Sequence, residues 1–242
     1  MNLETDMAFI KTFRFGRFLW TAFVTWYFIN FSKNFFGSLT SDRIQIPVIF
    51  FLILVLWMAI EYYFSSPLFQ SGIVKPVFFE RILFSIFFYA TTIYCIADFT
   101  TLHWTQVNFA YSYLNIIGIV IFGIGVLLRY FTLFELLRLP AQKLPKSGIF
   151  QVCRHPRYLA TILQTIAIPM VFSSYLGIIL ALFLGLYIIY REMRAEEKIL
   201  IKNFQDEYTF YQKNVPFIIP KLSRLSLVRV EPSSKQKSKK PK

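Results

Sequence analysis

Arg154, His155, Arg157 and Tyr158 fall within five positions of one another, at the end of the stretch Gly148 to Tyr158, and Pro156 among them is a helix-starting residue. A long apolar run follows, and beyond it stands a second polar cluster, Arg194, Glu196 and Glu197. Guanidinium and imidazole groups suit a carboxylate or phosphate, and an inward-facing carboxylate suits a cationic amine. A zwitterionic, amino-acid-like group would bridge the two clusters. Adjacent helix positions diverge by about 100°, so one of Glu196 and Glu197 turns inward while the other meets solvent or a helix partner. The competing reading is that these charges mark membrane interfaces and pair with one another.

The spacing between the clusters defines what must position them. His155 and Glu196 lie 41 positions apart. As one straight helix that is about 60 Å at ~1.5 Å per residue, twice the ~30 Å hydrocarbon core of a bilayer. Two short spans joined by a turn fit better. The turn falls at Phe172, Ser173, Ser174 and Tyr175, with Pro169 before and Gly177 after. Such a hairpin returns the chain to the face it left, and the two clusters meet there.

The chain has 242 residues, of which 56% are hydrophobic and 19% aromatic, with 29 Phe. This is too apolar for an ordinary soluble domain and predicts an all-α, polytopic integral membrane protein. About six transmembrane helices are expected, near residues 15–36, 44–64, 77–97, 109–137, 157–172 and 175–190, or five if the first does not cross. Gly118 and Gly125 are seven apart on one face of the fourth, where a neighbouring helix can approach closely. Glu61 and Arg129 are each expected to reach an interface near the end of their own span. After Glu197, the spacing of Leu200, Phe204, Tyr208 and Tyr211 predicts an amphipathic helix along the cytosolic face, covering the site. The chain divides into N-terminal transmembrane helices (1–141), the motif region (142–220) and a basic tail (221–242) expected to be disordered. Glu4 and Asp6, with no small-residue cleavage site beyond, do not fit a cleaved signal.

The formal net charge is +13. With six spans and a cytoplasmic N-terminus, every Lys and Arg falls on the inner side except Lys33, Arg43 and the intramembrane Arg129. The positive-inside rule then places both termini and both polar clusters in the cytoplasm. The positive charge is therefore assigned to orientation and to membrane lipids, not to nucleic acid. With two Cys and two His, there is no disulfide framework and no metal-ligand cluster. Cys153 beside Arg154 is read as a bystander thiol in preference to a reactive one. A G-x-S-x-G elbow and a G-x-G-x-x-G loop are both lacking, which argues against a serine hydrolase and a Rossmann nucleotide site.

The two-part motif resembles the isoprenylcysteine carboxyl methyltransferase family and its relatives, the integral-membrane phospholipid methyltransferases. The resemblance is carried by Arg154, His155, Pro156, Arg157 and Tyr158, the hairpin, then Glu196 and Glu197, Phe204, Asp206, Glu207 and Tyr208, Tyr211, Val215 and Pro216. It covers about 142–220. It implies a helical S-adenosylmethionine site at the cytosolic face, with Gln142, Lys143, Leu144, Phe150, His155, Pro156, Tyr158 and Glu196 against the cofactor. The acceptor would be a lipophilic small molecule or lipidated substrate, methylated on a carboxylate or an amine, with Glu197 as base in the second case. The chain departs from the family pattern at Ala160, where Gly is usual, and at Phe150, where Tyr is usual. Glu192 stands where a substrate-binding Arg is expected, leaving Arg191 or Arg194 to supply a guanidinium from a rotated position. Membrane sterol or enone reductases, which use a nicotinamide cofactor, are similar near the first motif, but here Arg157 replaces their Asn, and Leu159, Ala160 and Thr161 lack their Gly-Glu pair. A non-enzymatic transporter or scaffold is the third reading.

Overall fold

A computed structural model describes residues 18, 21–26, 29, 42–68, 78–107, 111–138 and 143–220. Within these the chain is helical: α1 (Asp42–Leu68), α2 (Phe78–Ala97), α3 (Tyr111–Arg138), α4 (Pro156–Val171), α5 (Tyr175–Leu180) and α6 (Leu186–Asn214). Residues 18, 21–26 and 29 are also helical and belong to the first expected span; the other residues of that span and the tail from residue 221 lie outside the described residues. A π-helical turn, Asp98–Leu102, extends α2, and another, Ala181–Gly185, joins α5 to α6 without a break.

By length and composition, Ile82–Leu102, Tyr113–Arg138 and Tyr175–Asn214 can cross a membrane, and Ile46–Glu61 is a shorter apolar helix. The chain is an all-α integral membrane protein. Ile49, Leu52 and Leu56 of α1, Ile116, Val120, Ile124 and Leu127 of α3 and Phe183 of the second π-turn all stand exposed. On a membrane protein these are surfaces for acyl chains. With 16 residues, α4 is only about 24 Å long. It buries Gln164 and Thr165 against neighbouring helices.

The closest packing is between α3 and α4. A Cβ on Gly118 would lie 2.7 Å from the Val171 side chain, and one on Gly125 would lie 2.9 Å from Gln164 Cγ and 3.1 Å from the Ala160 carbonyl. The shared face read from the seven-residue spacing is therefore the face on which α4 docks. Phe50 and Phe51 of α1, Phe122 of α3 and Phe172 at the hairpin turn fill the core, with Phe50 edge-on to both Phe122 and Phe172.

The hairpin turns where Ser173 and Ser174 predict it. Ser173 has φ 53°, and the Ser174 side chain accepts from the Gly177 amide as the cap of α5. Residues 103–107 clamp this turn. Val107 N–H donates to the Ser173 carbonyl at 2.8 Å, and Tyr175 N–H to the Thr105 carbonyl at 2.9 Å. Asn115 donates to the Val171 carbonyl and to Ser173 Oγ. Asp98 is fully buried and accepts from the Trp104 and Thr105 amides and from the Thr105 hydroxyl. Three donors offset the cost of desolvating it.

Two expectations change. Glu61 and Arg129 do not reach separate interfaces. They pair with each other across α1 and α3, and Arg129 also donates to Thr161 Oγ1 at 3.3 Å. In hydrocarbon, pairing costs less than leaving either charge alone. The amphipathic segment does not start afresh after the last span. It continues α6 and then bends at Gln205 (φ 42°), so that the last turns fold back over the site.

Candidate active site

The first cluster is built by a short connector between α3 and α4. Gly148 has φ +56°, and a Cβ there would meet the Glu135 carboxylate at 2.6 Å. Left-handed backbone and close contact both call for glycine. A 3₁₀ turn, Gly148–Gln151, buries Phe150. Arg154 N–H donates to the Pro216 carbonyl at 3.0 Å, which ties the connector to the chain beyond α6. His155 stands at the N-cap position of α4 without a side-chain capping bond, and Pro156 is the first residue of the helix.

The hairpin brings the second cluster onto the first, and the two glutamates part company. Glu197 is 3% exposed. Its Oε1 is paired with Arg154, lies 3.3 Å from His155 Nε2 and accepts from Tyr208 OH at 3.2 Å. Its Oε2 is 3.5 Å from Arg194. Glu196 is more open and faces the other way, with Oε2 3.4 Å from Arg157 Nη2. The same Arg157 nitrogen is 3.3 Å from Tyr158 OH. The divergence expected of neighbouring helix positions is thus realised as two pairings.

The folded-back turns of α6 roof the site. Tyr211 OH donates to the Phe150 carbonyl at 2.6 Å, and Leu144 packs with Leu200, Tyr208, Tyr211 and Val215. The Phe217 ring lies 5.0 Å from that of His155 and stacks under the guanidinium groups of Arg154 and Arg194. On sequence grounds Tyr208 belongs to the covering amphipathic helix, with no sign of its bond to Glu197, and Phe217 has no role. The available signals were the helical spacing that puts Tyr208 on the face of Glu197 and the Pro216 that ends the helix just before Phe217. Cys153 is buried, and burial, opposed by a hydrogen bond at His155 and by Arg154, pushes its thiol up to about 11. It is the bystander, not a lowered-pKa nucleophile.

Of the residues expected at the cofactor, Leu144, Phe150, His155, Pro156 and Tyr158 are buried around this cluster, Glu196 lies at its edge and Lys143 is exposed. Gln142 is outside the described residues. Of the guanidinium candidates, Arg191 is exposed, and Arg194 bonds to Tyr190 OH at 2.9 Å.

On the membrane side of Arg157 and Tyr158 opens a cavity of about 660 Å³ between α1, α2, α3, α4 and Glu192 of α6, with Phe18, Thr21, Ala22, Thr25, Trp26 and Ile29 along one wall. Its polar lining includes Arg157, Tyr158 and Glu192 at one end, then Glu61 and Arg129. Neither Arg191 nor Arg194 lines it. Buried Glu192 occupies the position where an arginine was sought.

Residues 114–207 match the family model described as phospholipid methyltransferase. The match spans both halves of the motif and reaches back through most of α3. It bears out the resemblance read from the motif and points to a membrane methyltransferase. A comparison with curated proteins finds no match.

Proposed function

From the phospholipid methyltransferase domain at residues 114–207, we propose that this chain transfers a methyl group from S-adenosylmethionine to a carboxylate or amine of a lipophilic acceptor, at the cytoplasmic face of its membrane. The observation that carries this reading is the pair of ion-paired clusters lying directly beside a lipid-sized intramembrane cavity.

The residues present fit the cofactor's chemistry. Arg154 Nε is buried and has no hydrogen-bond partner among the described residues. The first amides of α4, after Pro156, have no intrahelical acceptor by position, and a helix N-terminus favours an anion. Together with His155 these groups suit a carboxylate and ribose hydroxyls. Glu196, with Arg157 Nη2 3.4 Å from its Oε2, suits an ammonium group. Phe150 and Tyr158 supply aromatic faces for adenine or a sulfonium. Lys143, Leu144 and Gln142 complete the expected set.

When bound, S-adenosylmethionine supplies a methyl group activated by a positively charged sulfur. Glu197, enclosed by four donors, holds Arg154 and His155 in place; those donors stabilise its ionised form and make it a poor base. Arg157 and Tyr158 stand between the cofactor cluster and the cavity and align the two sides. A carboxylate acceptor is already ionised at neutral pH, so orientation and exclusion of water suffice. For an amine acceptor, Glu192 at the cavity wall replaces Glu197 as the group that takes the proton. The positive-inside distribution supports a cytoplasmic site.

The test is transfer of radiolabelled methyl from S-adenosylmethionine into the organic extract of vesicles carrying the full chain. Label in lipid that falls at least tenfold in Glu196→Gln supports the proposal. Folded protein that labels no lipid from any source membrane overturns it.

A further inference from the structure

One side chain belongs to both halves of the site. Arg157, the second residue of α4, lies against Glu196 in the cofactor cluster, and it also lines the cavity, which Glu196 does not. The contact with Glu196 is loose: Nη2 to Oε2 is 3.4 Å, where a strong charged bond is ~2.7–2.9 Å. The same nitrogen serves Tyr158 OH at 3.3 Å, and the guanidinium lies 5.0 Å over the Tyr158 ring. Among the described residues Nη2 makes all the hydrogen bonds of this side chain. Nε and Nη1 make none there, and unlike Arg154 Nε they are not sealed from an incoming group. The side chain is 31% exposed. The other guanidinium on the cavity wall, that of Arg129, is taken by Glu61.

A guanidinium and an ammonium compete for one carboxylate. Arg157 sits at Glu196, where the proposed function puts the cofactor's ammonium, so the cofactor must displace it. The planar fork of N–H donors on an arginine suits a phosphate or a carboxylate. We infer that Arg157 is a positioning residue that couples the two sites: it competes with the cofactor for Glu196, and the anionic group of an amphiphile in the cavity draws it away. Cofactor and anion then favour each other, because linkage between two sites is reciprocal. The electrostatic pull of Glu192 at the cavity wall keeps the released guanidinium on that side. The inference deepens the proposed function and rests on it for the identity of the ligand at Glu196.

The test is calorimetry of S-adenosylmethionine binding to the full chain in neutral detergent. The unaltered chain and Arg157→Gln are compared, each alone and with decyl phosphate, decanol or inorganic phosphate. Arg157→Gln should bind the cofactor about fivefold tighter, the size of a partly exposed ion pair removed from competition. A residue that only supports the site would give looser binding when replaced. Decyl phosphate should tighten cofactor binding about as much in the unaltered chain and do nothing in Arg157→Gln. Decanol, which lacks the charge, and inorganic phosphate, which lacks the tail, should do nothing in either. The decyl phosphate arm needs no variant, so it decides the matter where Arg157→Gln does not fold. Looser or unchanged cofactor binding in folded Arg157→Gln, no effect of decyl phosphate on the unaltered chain, or an equal effect of inorganic phosphate overturns the inference. Cofactor binding without these effects sinks the coupling and spares the proposed function, whereas no cofactor binding by either chain overturns both.

Discussion

Glu196 and Glu197 are chain neighbours with different work. Replacing Glu197 with Gln leaves Arg154 and His155 facing a neutral group in a buried site. Loss of one member of a buried ion pair typically costs ~3–5 kcal/mol, so Glu197→Gln should unfold at a clearly lower temperature in detergent. Glu196→Gln removes a longer and more exposed pairing, whose loss should cost under ~1 kcal/mol, and should instead weaken cofactor binding. Equal destabilisation by the two would contradict the division of labour. Sequence alone established that the glutamates diverge but not which one is enclosed. That is decided by Arg154 and His155, which lie before the first turn of α4 and face the roof, whereas Arg157 lies within that turn and faces the cavity. Cys153 gives a second check. With its thiol pushed up to about 11 and only 2% exposed, it stays neutral across the physiological range. It should resist maleimide at pH 8 for as long as the chain is folded, and labelling at the rate of a free thiol would contradict its placement.

At the scale of elements, the α3–α4 contact is what holds the first cluster in register with the hairpin. Gly118→Ala pushes a methyl into Val171 and should destabilise by ~1–3 kcal/mol, the usual range for overpacking. Gly123, on the same helix, has nothing within 4 Å of its would-be Cβ. Gly123→Ala should be neutral or stabilising by up to ~1 kcal/mol through helix propensity alone. Thermal unfolding of the two variants side by side measures the difference, and equal behaviour would mean that α4 does not dock on that face. This contact and the hairpin turn were legible in the sequence because each rests on local signals: glycines at helical spacing, and two serines between apolar runs. The bend at Gln205 was not. Glutamine has no preference for positive φ, and the bend is imposed by Tyr208 reaching Glu197 and Tyr211 reaching Phe150. The Glu61–Arg129 pair was hidden for the same reason, since each residue read alone looks like an interface marker and only the packing of α1 on α3 joins them.

At the scale of the whole molecule, the site and the hairpin clamp lie at opposite ends of the bundle. Positive-inside counting leads to the expectation that the site end faces the cytoplasm. Because native Cys95 and Cys153 are both buried, single introduced cysteines can report the topology. Lys143→Cys should label only from the cytoplasmic side, and Thr101→Cys only from the opposite side. Labelling of both from one side would break the layout. Composition and run length were enough to predict an all-α membrane protein. They did not reveal the cavity, which is assembled from five helices and residues of the first expected span and has no contiguous signature. The central claim is that the two clusters form one cofactor site, and its most direct test is calorimetry of S-adenosylmethionine binding to the purified full chain. The account predicts saturable binding, weakened at least tenfold by His155→Ala and by Glu196→Gln in protein that remains folded. Absence of binding by the unaltered chain, above all if a reduced nicotinamide cofactor bound in its place, would contradict it.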